Sequence, residues 1–191
     1  MKFLKFMGRF VMGLVLMCLL ILGVLTIVLP QYSIIYNSPI TILGATTITL
    51  TSPGWGALFG GDLIYSLQLF HQDSVVSSSE IAINTVPNLV GIFAYIFLII
   101  TLFIVLFSLK SRKATGVALG TSLISLILFA FIPTYAFATN DLGAGVDLIE
   151  SVMTPSSVLG IGPILAIVIM SAVFLILLIR SIALLITSPK K

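Results

Sequence analysis

Four stretches of this chain are apolar almost from end to end, and the polar positions between them change character from one gap to the next. The stretches read Phe10 to Leu29, Asn88 to Leu109, Thr115 to Phe137 and Gly160 to Arg180. A helix rises about 1.5 Å per residue and the hydrocarbon layer of a bilayer is roughly 30 Å thick, so each stretch is long enough to cross. Pro30 closes the first, Pro87 suits the start of the second, and a Lys110-Ser111-Arg112-Lys113 turn separates the second from the third. So short a turn makes those two spans antiparallel neighbours. Pro133 predicts a kink or early unwinding in the last turns of the third.

The pattern shifts to period two after the first span. Tyr32 to Tyr36 is rich in β-formers, Asn37-Ser38-Pro39 signals a turn, and Ile40 to Thr51 continues with β-branched residues. There Thr47, Thr49 and Thr51 alternate with Ile48 and Leu50, the period of a half-buried strand. The expectation is a hairpin, with Gly44 as a bulge or bend. Asp62 to Phe70 fits either a short amphipathic helix or another strand. His71 to Glu80 reads as an exposed serine-rich tip, and Ile81 to Val86 as the return to the bilayer. In residues 138–159, a helical turn over Val146 to Met153 is expected to rest on the membrane.

The predicted fold is therefore an all-α membrane protein: a four-helix transmembrane bundle in one domain, residues 1–191, carrying a small β-rich extracellular loop domain over residues 31–87 and a second outer loop over 138–159. Charge supplies the orientation. Lys2, Lys5 and Arg9 precede the first span, Lys110, Arg112 and Lys113 lie between the second and third, and Arg180, Lys190 and Lys191 close the fourth. Asp62, Asp73, Glu80, Asp141, Asp147 and Glu150 all fall in the other two gaps. Basic residues are retained on the cytoplasmic side during insertion, which predicts a multi-pass protein of the cell membrane with both termini cytoplasmic. The basic start of the first span resembles a signal peptide, but its length and the absence of a small-x-small site after it predict a retained anchor.

Composition agrees: 59% of residues are hydrophobic and 8% charged, against about a quarter charged in ordinary globular chains. The net charge of +3 comes from short juxtamembrane flanks, and no aromatic-interleaved basic run suggests nucleic acid. The one cysteine, Cys18, lies in mid-span, which excludes an intrachain disulfide and paired-thiol chemistry. Without a loop cysteine or an Asn-x-Ser/Thr acceptor, a bacterial envelope is favoured over a eukaryotic surface.

No Asp, Glu or His falls inside a span, so a proton relay has no titrating group there. No metal-ligand spacing occurs, and neither a cofactor nor a catalytic site is expected. Asp141, Asp147 and Glu150 do not match an EF-hand loop and read as solvated loop charges, with calcium binding the sharper alternative. A hydrolytic site built from His71 and these acids has no support in the spacing. Gly116 and Gly120 form a small-xxx-small pair, which suits close helix packing against the second or fourth span, or else a seam between copies. Arg180 falls at a helix end, where it either snorkels as an interface anchor or is buried. Trp55, Leu58 and Phe59 form an apolar cluster on a glycine-rich segment; they are candidate partner-binding residues, with headgroup anchoring the plainer role for Trp55.

Four spans, a long β-rich first loop with a tryptophan, and a shorter second loop resemble the claudin-type tetraspan layout. In claudins the motif is Trp followed by Gly-Leu-Trp-Cys-Cys; the matching segment here is Gly54-Trp55-Gly56-Ala57-Leu58-Phe59, and neither loop contains cysteine. The resemblance implies a left-handed four-helix bundle with a small sheet standing on it, and does not extend to a junctional role.

Two functional readings follow. The first is a non-enzymatic membrane accessory or scaffold protein whose partners are membrane lipids and another envelope protein, or further copies of itself. The second is a small oligomeric channel or transporter subunit in which Thr101, Ser122, Ser125 and Ser171 line a polar path.

Overall fold

A computed structural model of the chain describes residues 2–37, 46–52, 54–71, 74–108, 111–139 and 154–186. In chain order its elements are α1 (Lys2–Leu25), a 3₁₀ turn (Thr26–Val28), β1 (Tyr32–Asn37), β2 (Thr46–Thr51), α2 (Gly56–Phe59), β3 (Gly61–His71), β4 (Ser74–Thr85), α3 (Leu89–Ser108), α4 (Arg112–Thr139), β5 (Thr154–Leu159) and α5 (Ile161–Ile186). Among the described residues, four segments are long and apolar enough to cross a membrane: Phe10–Val28, Leu89–Leu106, Arg112–Thr134 and Ile161–Ile186. The expected spans are thus present, with shifted ends. Helix α4 starts at Arg112, within the basic turn, and continues past Pro133 to Thr139 without unwinding. Helix α5 runs on through the segment after Arg180 as far as Ile186. The chain divides into two compact units, residues 1–26, 93–129 and 165–191 in one and 27–92 and 130–164 in the other.

In the helical unit one seam of each helix is buried. The buried positions are Gly13, Leu16, Leu20 and Gly23 on α1, and Ala94, Leu98, Thr101 and Val105 on α3. On α4 they are Thr115, Ala118, Ser122, Ser125 and Phe129, and on α5 Ala166, Met170, Val173, Leu177 and Arg180. Steps of three and four alternate, an average period of 3.5, which is the spacing of knobs-into-holes packing. Lipid tails are as apolar as leucine, so small side chains and interhelical hydrogen bonds hold such helices together. A side chain at Gly23 would lie 3.1 Å from Leu98. Ser125 Oγ donates to the Ala94 carbonyl at 2.8 Å, and the Thr101 and Thr121 hydroxyls meet at 2.8 Å. Thr26 Oγ1 bonds the Tyr95 hydroxyl at 3.1 Å, and the Tyr95 ring meets Phe129 edge-on with centroids 4.9 Å apart.

The second unit contains one antiparallel five-stranded sheet in the order β4-β3-β2-β1-β5. The expected hairpin is β1 with β2; its turn, and the expected bend at Gly44, lie outside the described residues. Tyr32, Ile34 and Tyr36 of β1 are buried, as is Leu50, the cross-strand partner of Ile34. Thr47, Thr49 and Thr51 are half-buried on the opposite face, as their alternation predicts.

The structure decides one open reading of the loops and corrects two others. Asp62 to Phe70 is a strand, since β3 pairs with β2 on one side and β4 on the other. In place of a serine-rich tip over His71 to Glu80 and a return to the bilayer over Ile81 to Val86, Ser74–Thr85 is one 12-residue strand. Its serines disguised it, yet serine is compatible with an open sheet face, and a bulge opposite Leu69/Phe70 absorbs the change of register. A further strand, β5, is paired with β1 along its length. The helical turn expected over Val146 to Met153, together with Asp141, Asp147 and Glu150, lies outside the described residues.

The 3.5-residue seam yields a direct test. Ser122→Leu overfills the buried seam and should cost about 1–3 kcal/mol of stability, whereas Gly116→Leu, off the seam, should stay within about 0.5 kcal/mol. Unfolding of detergent-solubilised variants measures both.

Candidate functional site

The polar chemistry of the sheet-containing unit gathers where helices end and strands begin. Four N–H groups at the start of a helix and four carbonyls at its end lack partners within it. At the end of the first span, Gln31 turns back so that its carboxamide donates to the carbonyls of Ile27 at 3.2 Å and Leu29 at 2.6 Å. The Gln31 and Tyr32 amides both donate to Ser52 Oγ at 3.1 Å, and the Ser52 amide donates to the Tyr32 carbonyl at 3.1 Å. From the start of α5, the Gly160 and Gly162 amides donate to the Gln31 and Pro30 carbonyls at 3.0 and 2.9 Å. Glycine is required at Gly160 because a β-carbon there would collide with the Pro30 carbonyl, and at Gly54 because one would collide with the Val28 carbonyl.

Asn88 is the second joint. It is buried and directly precedes α3, where its Oδ1 accepts the Gly91 amide at 2.9 Å, an N-cap bond. Its Nδ2 donates to the Ile132 carbonyl at 3.1 Å, next to Pro133 in α4. Its backbone amide donates to the Leu58 carbonyl at the end of α2, at 2.8 Å. One asparagine thus links α2, α3 and α4. Sequence reasoning placed Asn88 only as the start of a span, although an asparagine before an apolar helix is a cap signal.

These joints hold the one-turn helix α2 in place and separate the three candidate partner residues. Leu58 is fully buried at 0% exposure, and a β-carbon on Gly91 would come within 2.5 Å of it. Leu58 is therefore a packing residue and not a contact for a partner. Trp55 and Phe59, one turn apart, face outward at 59% and 52% exposure, with ring centroids 6.2 Å apart. Directly after Phe59, Gly60 and Gly61 take φ of 75° and 110°, which lets the chain leave the turn for β3.

The other predicted sites are elsewhere. Gly116 and Gly120 do not pack against the second or fourth span: among the described residues nothing lies within 4 Å of a β-carbon at either position. The buried seam of α4 passes through Thr115, Ala118 and Ser122, so the glycines are turned off it. Arg180 falls three residues after Leu177 on the α5 seam and is 9% exposed, the buried one of its two expected placements. The serines and threonines proposed to line a path are engaged. Ser125 and Thr101 bond across helices, and Ser122 Oγ donates to the Leu119 carbonyl at 2.8 Å. Ser171 is half-buried.

On the open side of the sheet, the register aligns one residue from each strand in a row. One row is Ser156, Ile35, Thr49, Gln68 and Ser78; the next joins Val158, Ser33 and Thr51 and ends at Glu80. All of these side chains are exposed or half-exposed, and most are hydroxyls or an amide. Comparison with known proteins finds no family model that matches the chain, and no curated protein matches it either.

Leu58→Ala should cost about 2–5 kcal/mol in detergent, since it empties a buried site, while Trp55→Ala and Phe59→Ala should each change stability by no more than about 0.5 kcal/mol. Asn88→Ala should cost about 2 kcal/mol through the lost cap and the lost hydrogen bond to the Ile132 carbonyl. Thermal unfolding of the four variants gives the comparison.

Proposed function

We propose that this chain is a non-enzymatic accessory or scaffold protein of the cell membrane, with both termini cytoplasmic and the sheet outside, where it contacts another envelope protein. The open sheet face carries the reading. Its two cross-strand rows span all five strands and offer hydroxyl, amide and carboxylate groups. Hydroxyl, amide and carboxylate side chains on an open sheet face can hydrogen-bond a partner, the chemistry of a polar protein interface. The orientation rests on the charges: every Lys and Arg falls at one set of helix ends and every acid in the alternate gaps. A claudin-like layout is part of this proposal as architecture alone; four spans and a small sheet support it.

The channel reading is weaker for a stated reason. Thr101, Ser122 and Ser125 are buried and hydrogen-bonded to protein, the first and last across helices and Ser122 within its own, so they offer little to a permeating solute.

Photo-reactive residues at Ser78 and Ser156, on the open sheet face, and at Ile124, on an exposed apolar helix face, test the proposal in native membranes. The expected result is a discrete protein adduct from Ser78 and Ser156 and none from Ile124. Adducts from Ile124 alone, or none together with solute flux by the pure protein in liposomes, would overturn it in favour of lateral assembly or a channel.

A further inference from the structure

The exposed aromatic pair on α2 has no role in the partner face, and its position identifies what covers it. Trp55 and Phe59 share the outward side of a single helical turn, while Ala57 and Leu58 are buried on the other side. The turn is fixed at the level of helix ends. Gly54 lies against the carbonyl of Val28, the last residue of the first membrane-spanning segment. The Leu58 carbonyl accepts the amide of Asn88, and Leu89 begins the second such segment. Val28 and Leu89 are themselves exposed apolar side chains, so the span ends that hold the turn also present apolar surface. No charged residue occurs from Ser52 to Gly61. Indole rings partition to the boundary between acyl chains and headgroups, with an apolar body on one side and a polar N–H on the other.

We infer that Trp55 and Phe59 are inserted in the headgroup layer of the bilayer and set the depth of the sheet-bearing end of the chain, the lipid boundary being their occupant. This assignment is independent of the partner proposed for the open sheet face. It also accounts for the rigid mounting: a ring that sets depth must be held by its backbone, and the Gly54, Leu58 and Asn88 contacts hold it.

Trp55 is the only tryptophan in the chain, so intrinsic fluorescence reports this site alone. The test uses the full chain in phosphatidylcholine–phosphatidylglycerol vesicles containing lipids with a nitroxide either near the headgroup or deep in the acyl chain, and aqueous iodide as the third quencher. The shallow nitroxide should quench roughly twofold more than the deep one, with little quenching by iodide, as an interfacial tryptophan requires. A second protein, carrying W55F and F59W together, moves the reporter to the other ring and should give the same depth. Strong iodide quenching without lipid quenching would overturn the inference, as would stronger quenching by the deep nitroxide. Lipid quenching that emerges only on dilution of protein in the membrane would also overturn it, because a second copy would then be the occupant.

Discussion

A backbone that leaves a membrane-crossing helix carries amides and carbonyls that no longer have partners, and leaving them buried and unpaired costs about 1–3 kcal/mol each. The geometry of the sheet-containing unit depends on how this chain satisfies them. Gln31 covers the carbonyls of Ile27 and Leu29, and the amides of Gly160 and Gly162 cover those of Gln31 and Pro30. Asn88 supplies the α3 cap and ties α2 and α4 to the same point. Around these joints backbone lies against backbone or a buried leucine at three points, which is why glycine occupies positions 54, 91 and 160. The aromatic turn and the first two strands inherit their placement from these joints.

Within the helical unit a different constraint operates. Apolar faces gain nothing by leaving lipid for protein, so close approach and interhelical hydrogen bonds decide which face turns inward. The 3.5-residue seam of small and hydroxyl residues on α4 meets that requirement, and Thr115, Ala118, Ser122 and Ser125 are buried there. Gly116 and Gly120 have the right size at the wrong phase. The same seam on α5 reaches Arg180, which explains the burial of a cation that a count of residues from the helix start places at the membrane edge. The phase of the whole seam outranks any single motif on it.

The four spans were legible because twenty-odd apolar residues between turn and charge signals have few other uses, and the alternation of Thr47, Thr49 and Thr51 made the hairpin legible. Strand β4 was not, because its serines carry no apolar period and its identity comes from pairing with β3. Strand β5 was hidden likewise; it is six residues long and its partner, β1, lies more than a hundred residues earlier. At the candidate site Trp55 and Phe59 were visible as part of an apolar cluster, but Leu58 was grouped with them because sequence does not tell which side of a single turn meets Gly91. Asn88 had a readable cap signal, whereas its bond to Ile132 needed the tertiary structure.

Hydrogen–deuterium exchange on the intact chain in lipid nanodiscs tests the joints most directly, since the amides of Ser52, Asn88, Gly160 and Gly162 lie outside regular helix and strand hydrogen bonding yet are bonded here. The account predicts that they exchange as slowly as the interior amides of α3. Exchange of these four at the rate of unstructured peptide, with α3 protected, would contradict it.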